Sequence, residues 1–194
     1  MGILKRSCQY LVIVFLSFAF GELQAQDNKV YYDLELALKK PAEVVKLYLD
    51  YQELEALPAA ITRMVNLEEL HLGGNPGMNW SSAFQRLGML PKLVKINLSE
   101  NQLTSLPRSL SGLSALEELH LNGNANMDWE AAMVLLAQLP NLKRLDLSSN
   151  YIKNIPASIK GLLHLEKLHL WSNELINLPP DIGALENLKE LDLS

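Results

Sequence analysis

The sequence predicts an α/β solenoid: a right-handed coil bent into a horseshoe, with a parallel β-sheet on its concave side and mixed turns and α-helices on its convex side. Three observations point there. A segment of the form LxxLxLxxN recurs seven times, as VVKLYLDYQ from residue 44, LEELHLGGN from 67, LVKINLSEN from 93, LEELHLNGN from 116, LKRLDLSSN from 142, LEKLHLWSN from 165 and the shorter LKELDLS from 188. Successive copies are offset by 23, 26, 23, 26, 23 and 23 residues, the self-similarity of a repeat array in which each unit stacks on its neighbours. Within each copy leucines alternate with polar residues, so one side of a short strand is buried and the other faces water.

The chain has 194 residues, 48% of them hydrophobic and 20% charged, which is enough for one domain and too apolar for disorder. Its formal net charge of −5 gives nucleic acid no electrostatic reason to bind.

Residues 1 to 25 have the layout of a secretory signal peptide. Lys5 and Arg6 precede an apolar run from about Leu11 to Phe20, followed by small and polar residues. The run is about half of the roughly twenty residues needed to span a bilayer as a helix, so no membrane span is expected after cleavage. Cleavage after Ala25 and after Gly21 both fit. Cys8, the only cysteine, precedes the apolar run and would leave with the leader, so the mature chain has no disulfide, redox motif or cysteine zinc site.

Residues 26 to 43 are expected to form an N-terminal cap helix over the first coil, with Asp33 as its capping residue and Leu34, Ala37 and Leu38 as an apolar stripe. Residues 44 to 194 then form the solenoid of seven copies, the last incomplete. Asn75, Asn101, Asn124, Asn150 and Asn173 recur where the chain must turn, and an amide there can satisfy backbone groups of its own and the adjacent coil. Gln52 takes that place in the first copy. Pro58, Pro107, Pro156 and Pro179 exclude a regular sheet on the return path and favour extended or turn-like backbone.

The two long copies repeat a motif, NPGMNWSSAFQRLGMLPKL from residue 75 and NANMDWEAAMVLLAQLPNL from 124. Asn79 and Asp128 can cap helix starts, and Trp129, Ala132, Met133, Leu136 and Leu139 recur at steps of three and four. The spacing predicts convex helices from about Trp80 to Leu90 and from about Trp129 to Leu139, with the tryptophans packing helix against core rather than forming a ligand cage. The last copy stops before the asparagine its pattern demands, which is expected of a fragment of a longer reading frame.

At this period the pattern resembles the leucine-rich repeat family, over everything after about residue 43. The 23-residue copies, such as NQLTSLPRSLSGLSAL and NELINLPPDIGALENL, are most similar to the LPxxI class of Ras-group scaffolds, plant defence proteins and bacterial secreted repeats. The resemblance implies a non-enzymatic module that recognises a protein partner, or a surface glycan, through its concave face. The absence of the paired cysteines of many animal extracellular relatives points to an exported bacterial protein. A ligand-sensing portion of a longer enzyme or receptor, and a structural role in adhesion or cell-surface assembly, are the two alternative readings.

Outward-facing strand positions form columns across strands about 4.8 Å apart. One column runs Lys46, Glu69, Lys95, Glu118, Arg144, Lys167, Glu190; its signs alternate except at Arg144 and Lys167, leaving two adjacent cations partly uncompensated. The next runs Tyr48, His71, Asn97, His120, Asp146, His169, Asp192. Histidines on alternate coils are roughly 10 Å apart, too far to share one metal ion at about 2 Å from each nitrogen. Asp146 between His120 and His169 is expected to raise the proton affinity of both. Ser148, His169 and Asp192 have the composition of a hydrolase triad, but an open sheet offers no water-excluding pocket or oxyanion donors. Neither a phosphate loop nor any other cofactor motif is present. Trp171 beside His169, near Arg144 and Lys167, has the composition of an interface hot spot, and Tyr48 with Tyr51 offers a second aromatic spot. The expected partner-binding residues are therefore Tyr48, Tyr51, His71, His120, Arg144, Asp146, Lys167, His169 and Trp171.

Overall fold

A computed structural model describes residues 29 to 194; the expected leader with Cys8 and the first residues of the expected N-terminal cap lie outside the described residues. Among the described residues eight short strands lie in chain order in one parallel sheet: β1 (Val30–Tyr31), β2 (Lys46–Tyr48), β3 (Glu69–His71), β4 (Lys95–Asn97), β5 (Glu118–His120), β6 (Arg144–Asp146), β7 (Lys167–His169) and β8 (Glu190–Asp192). Strands β2 to β8 each come from one repeat. Their middle residues, Leu47, Leu70, Ile96, Leu119, Leu145, Leu168 and Leu191, are in register, so the leucines form one column. Most of that column is inaccessible to water, and it merges into a single core that runs the length of the coil. The residues flanking each middle leucine face outward, which places the two polar columns side by side on the sheet.

β1 was not expected. Its two residues are too few to show a periodicity, yet Val30 and Tyr31 pair with Lys46 and Leu47, and Tyr31 is buried. A short helix, α1 (Leu34–Lys39), follows. The Asp33 carboxylate accepts the Leu36 N–H at 2.8 Å and satisfies one of the donors that a helix start leaves open.

The turn after each strand is held by the recurring asparagines, which are buried or nearly so. Asn75 shows the pattern. Its Nδ2 donates to Leu49 O and Leu72 O at 2.9 and 3.1 Å, and its Oδ1 accepts from Gln52 N and Leu54 N at 3.2 and 3.0 Å. Because each amide joins its own coil to the preceding one, the asparagines form a ladder parallel to the leucine column. The residue before each of these positions, Tyr51, Gly74, Glu100, Gly123, Ser149 and Ser172, has a positive φ of 53 to 72°. Only two of the six are glycine, and the others adopt a conformation that costs roughly 1–2 kcal/mol.

On the convex side α2 (Trp80–Leu87) and α3 (Trp129–Leu136) begin where expected, with Asn79 and Asp128 accepting the N–H groups of Ser82 and Ala131, both at 3.1 Å. Both end one turn early. Leu90 N donates to Leu87 O and Leu139 N to Leu136 O, both at 3.0 Å, so the last residues tighten into a turn that buries Leu90 and Leu139. Pro91 and Pro140 follow directly, and a residue before proline is disfavoured in the α conformation. Trp80 and Trp129 are half-buried against the core, each with its indole N–H enclosed and unpartnered. In the 23-residue copies the convex side is a 3-10 turn instead, at Ala59–Arg63, Arg108–Gly112, Ala157–Gly161 and Pro180–Ala184, each entered from an extended proline.

Candidate functional site

The strand register brings both polar columns together as the sequence implies, and the side chains add partners that sequence spacing does not fix. In the first column Glu69 lies between Lys46 and Lys95, at 2.8 and 3.3 Å, and Glu118 lies between Lys95 and Arg144, at 3.0 and 3.2 Å. Burial pushes the Glu69 carboxyl up, but hydrogen bonds from Lys46 and His71 and the charge of Lys95 outweigh it and hold the group at about 2. Arg144 and Lys167 stand in register as the one cation–cation rung of this column. The expectation that they are left partly uncompensated needs correction. Arg144 leans to Glu118 and Lys167 leans to Glu190, so each takes a carboxylate on the side away from the other. Opposed like charges repel, and long side chains can turn apart.

A gap of 130 Å³ lies over β5 to β7, lined by Glu118, His120, Arg144, Asp146, Lys167 and His169 above Leu119 and Leu145. Five of these six are expected partner-binding residues. Trp171 is not among the lining residues. It follows β7, 38% exposed, with its carbonyl accepting from Ser149 N at 3.0 Å.

In the second column His120 sits between two carboxylates, with Nε2 2.8 Å from Glu118 and Nδ1 3.5 Å from Asp146. Burial lowers its proton affinity, but the two acids outweigh burial and its pKa is raised. Asp146 is held below its ordinary value: burial opposes ionisation, while His120 and the N–H and O–H of Ser148, at 3.0 and 2.6 Å, favour it. Asp146 does not serve both histidines as expected. His169 turns to Glu190, with Nε2 at 3.2 Å, because that carboxylate already lies beside Lys167 in the adjacent strand.

Ser148, His169 and Asp192 are not brought into a relay. The buried Ser148 hydroxyl donates to Asp146, His169 faces Glu190, and Asp192 accepts the N–H and O–H of Ser194 at 3.1 and 2.8 Å.

At the other end the aromatic spot differs from expectation. Tyr48 stacks on Tyr32, with ring centroids 5.3 Å apart and planes 17° apart, and meets His71 at 4.3 Å. Sequence reasoning missed Tyr32 because β1, the strand it directly follows, was not anticipated. Tyr51 is 65% exposed and lies over Gly74 along the turn, where Glu100 pushes its hydroxyl above its ordinary value. His71 is flanked by Glu69 at 2.9 Å and Asp50 at 3.7 Å. A third outward row, unnoticed in the sequence, lies at the N-terminal lip of the sheet. There Lys143 pairs with Glu117 at 2.9 Å and Lys189 with Glu166 at 2.8 Å, and Glu117, Lys143 and Glu166 border a shallow groove of 310 Å³.

Residues 81–125 and 133–175 match the family model described as a leucine rich repeat. A leucine-rich repeat protein of Leptospira interrogans is similar in structure, with a TM-score of 0.72 and 37% identity over 85% of this chain and 41% of that one. The chain belongs to the leucine-rich repeat family. Human trophoblast glycoprotein is another similar leucine-rich repeat structure, at 30% identity and a TM-score of 0.66 over 79% of this chain and 61% of that one. So is TLR13 in a complex with a single-stranded RNA, at 30% identity and a TM-score of 0.65 over 84% of this chain and 23% of that one. The chain spans less than two thirds of the length of each. No curated protein matches it. Leucine-rich repeat scaffolds of this fold typically mediate protein–protein recognition. No helix among the described residues is long and apolar enough to cross a membrane.

Proposed function

We propose that this chain is an exported, non-enzymatic leucine-rich repeat binding module that engages a protein partner through the concave sheet. The gap over β5 to β7 carries the reading, because it collects Arg144, Lys167, His120 and His169 in one place on the sheet. A contact surface needs donors and charges whose partners can be exchanged, and an aromatic anchor near them. Trp171 supplies the anchor at this end and the Tyr32, Tyr48 and His71 stack supplies one at the other. Protein is favoured over RNA because acids match cations along the first column and the chain carries a net −5, so among the described residues the sheet offers no stripe of positive charge to release counterions from phosphates. Export rests on the layout of residues 1 to 25.

Site-specific photocrosslinking tests the reading. A crosslinker at Trp171 or at Tyr48 is expected to capture a discrete protein, whereas one at the exposed convex Met89 captures none. Capture from Met89 alone, or from none of the three, overturns it. Once the partner is identified, Trp171→Ala and Arg144→Ala each weaken its binding by about tenfold or more, the scale of an interface hot spot, while leaving the melting temperature unchanged.

A further inference from the structure

The geometry points to the gap over β5 to β7 as a seat for one carboxylate, that of an aspartate or glutamate side chain on the partner, held by Arg144 and Lys167. This rests on the reading that the sheet binds a protein and names the chemistry of its central contact. Both acids at the rim already have partners. Glu118 faces His120 and Lys95 through one oxygen and Arg144 through the other. Asp146 accepts two hydrogen bonds from Ser148 through one oxygen and faces His120 through the other.

The cations have capacity to spare. A guanidinium carries five N–H donors in a planar fork, and Arg144 commits one nitrogen to Glu118 while its side chain stays 56% exposed. An ammonium carries three donors, and among the described residues Lys167 pairs only with Glu190. Most of the unused hydrogen-bonding capacity in this gap therefore lies on the two cations, as donors. The rung itself supplies the complementarity: Arg144 and Lys167 are opposed in register, and a negative group placed between them would convert the one repulsive step of the column into two attractive ones. The remaining rungs from Lys46 to Arg144 already hold alternating charges and give a carboxylate no comparable seat.

The full chain titrated with the peptide Ac-Ala-Glu-Ala-NH2, and separately with Ac-Ala-Gln-Ala-NH2, tests the assignment by NMR of the Arg144 side-chain N–H and the His169 ring. Saturable shifts are expected with the glutamate peptide, at a dissociation constant on the order of millimolar for so small a contact. The glutamine peptide should bind at least about tenfold more weakly, as should the glutamate peptide to the double variant Arg144→Gln, Lys167→Gln. The charge-matched double variant Lys40→Gln, Lys153→Gln, at two exposed lysines that pair with Glu43 and Glu174 away from the gap, should bind as the unaltered chain does. Equal binding of the two peptides, no saturable shift at all, or undiminished binding to the first double variant overturns the carboxylate seat. Those outcomes leave the broader reading to be decided by crosslinking at Trp171 and Tyr48, which does not involve either cation.

Discussion

Asn101 donates its backbone N–H to the side-chain oxygen of Asn124 on the following coil, at 3.1 Å, and Leu103 N donates to the same oxygen at 3.0 Å. The amide nitrogen of Asn124 donates in turn to Leu98 O and Leu121 O, at 3.0 and 2.9 Å. One side chain therefore satisfies four backbone groups in a site with no access to water.

Asn124→Ala would orphan three of those groups together, Asn101 N, Leu103 N and Leu98 O, while Leu121 O keeps the Asn150 amide at 3.1 Å. At about 1–3 kcal/mol for each buried group left unpaired, and with partial relaxation, the loss is expected to be roughly 3–5 kcal/mol. Gln52 occupies the equivalent place in the first coil but is exposed, and Gln52→Ala should cost less than about 0.5 kcal/mol. Urea unfolding of both variants measures the contrast. Equal losses would show that the ladder does not carry the turn.

The position of each asparagine was legible in the sequence because the turn repeats, and so were the strand register and the helix caps at Asn79 and Asp128. A period reports what every coil shares. What it could not report is what one coil does alone: the two-residue β1, the Tyr32 ring it places on Tyr48, and the choice of Glu190 over Asp146 by His169. The early ends of α2 and α3 were missed because the leucine spacing continues through a tightened turn that still buries Leu90 and Leu139.

The cluster of His120 with Glu118 and Asp146 gives stability a pH dependence whose sign can be worked out. The folded-state pKa of His120 is raised, so its contribution is fully present below the unfolded value near 6.5 and is lost as pH rises through the folded value. Glu118 and Asp146 are lowered, so theirs are present above the unfolded values near 4 and are lost as pH falls through the folded ones. The cluster therefore stabilises most between about pH 4.5 and pH 6.5. His120→Gln should lower the melting temperature more at about pH 5.5 than at about pH 8.5. A deficit that is the same at both, or larger at the higher pH, would show that His120 is not charged in the folded chain.

Gly74 offers a separate test of how the coils pack. Its φ is +64°, and a Cβ there would lie 2.2 Å from the ring of Tyr51, which crosses over it from the preceding coil. Gly74→Ala thus meets two costs: roughly 1–2 kcal/mol for a side chain in the left-handed conformation, and a clash that forces Tyr51 off the turn. Tyr51 is largely exposed and can move, so Tyr51→Ala alone should be nearly neutral. In the double variant the clash disappears and only the backbone cost remains, so the two changes should be less than additive. Denaturant unfolding of the two single variants and the double variant decides it. Strict additivity would mean that Tyr51 does not rest on Gly74 in solution, and the turn-edge position given to Tyr51 on the candidate binding surface would fall with it.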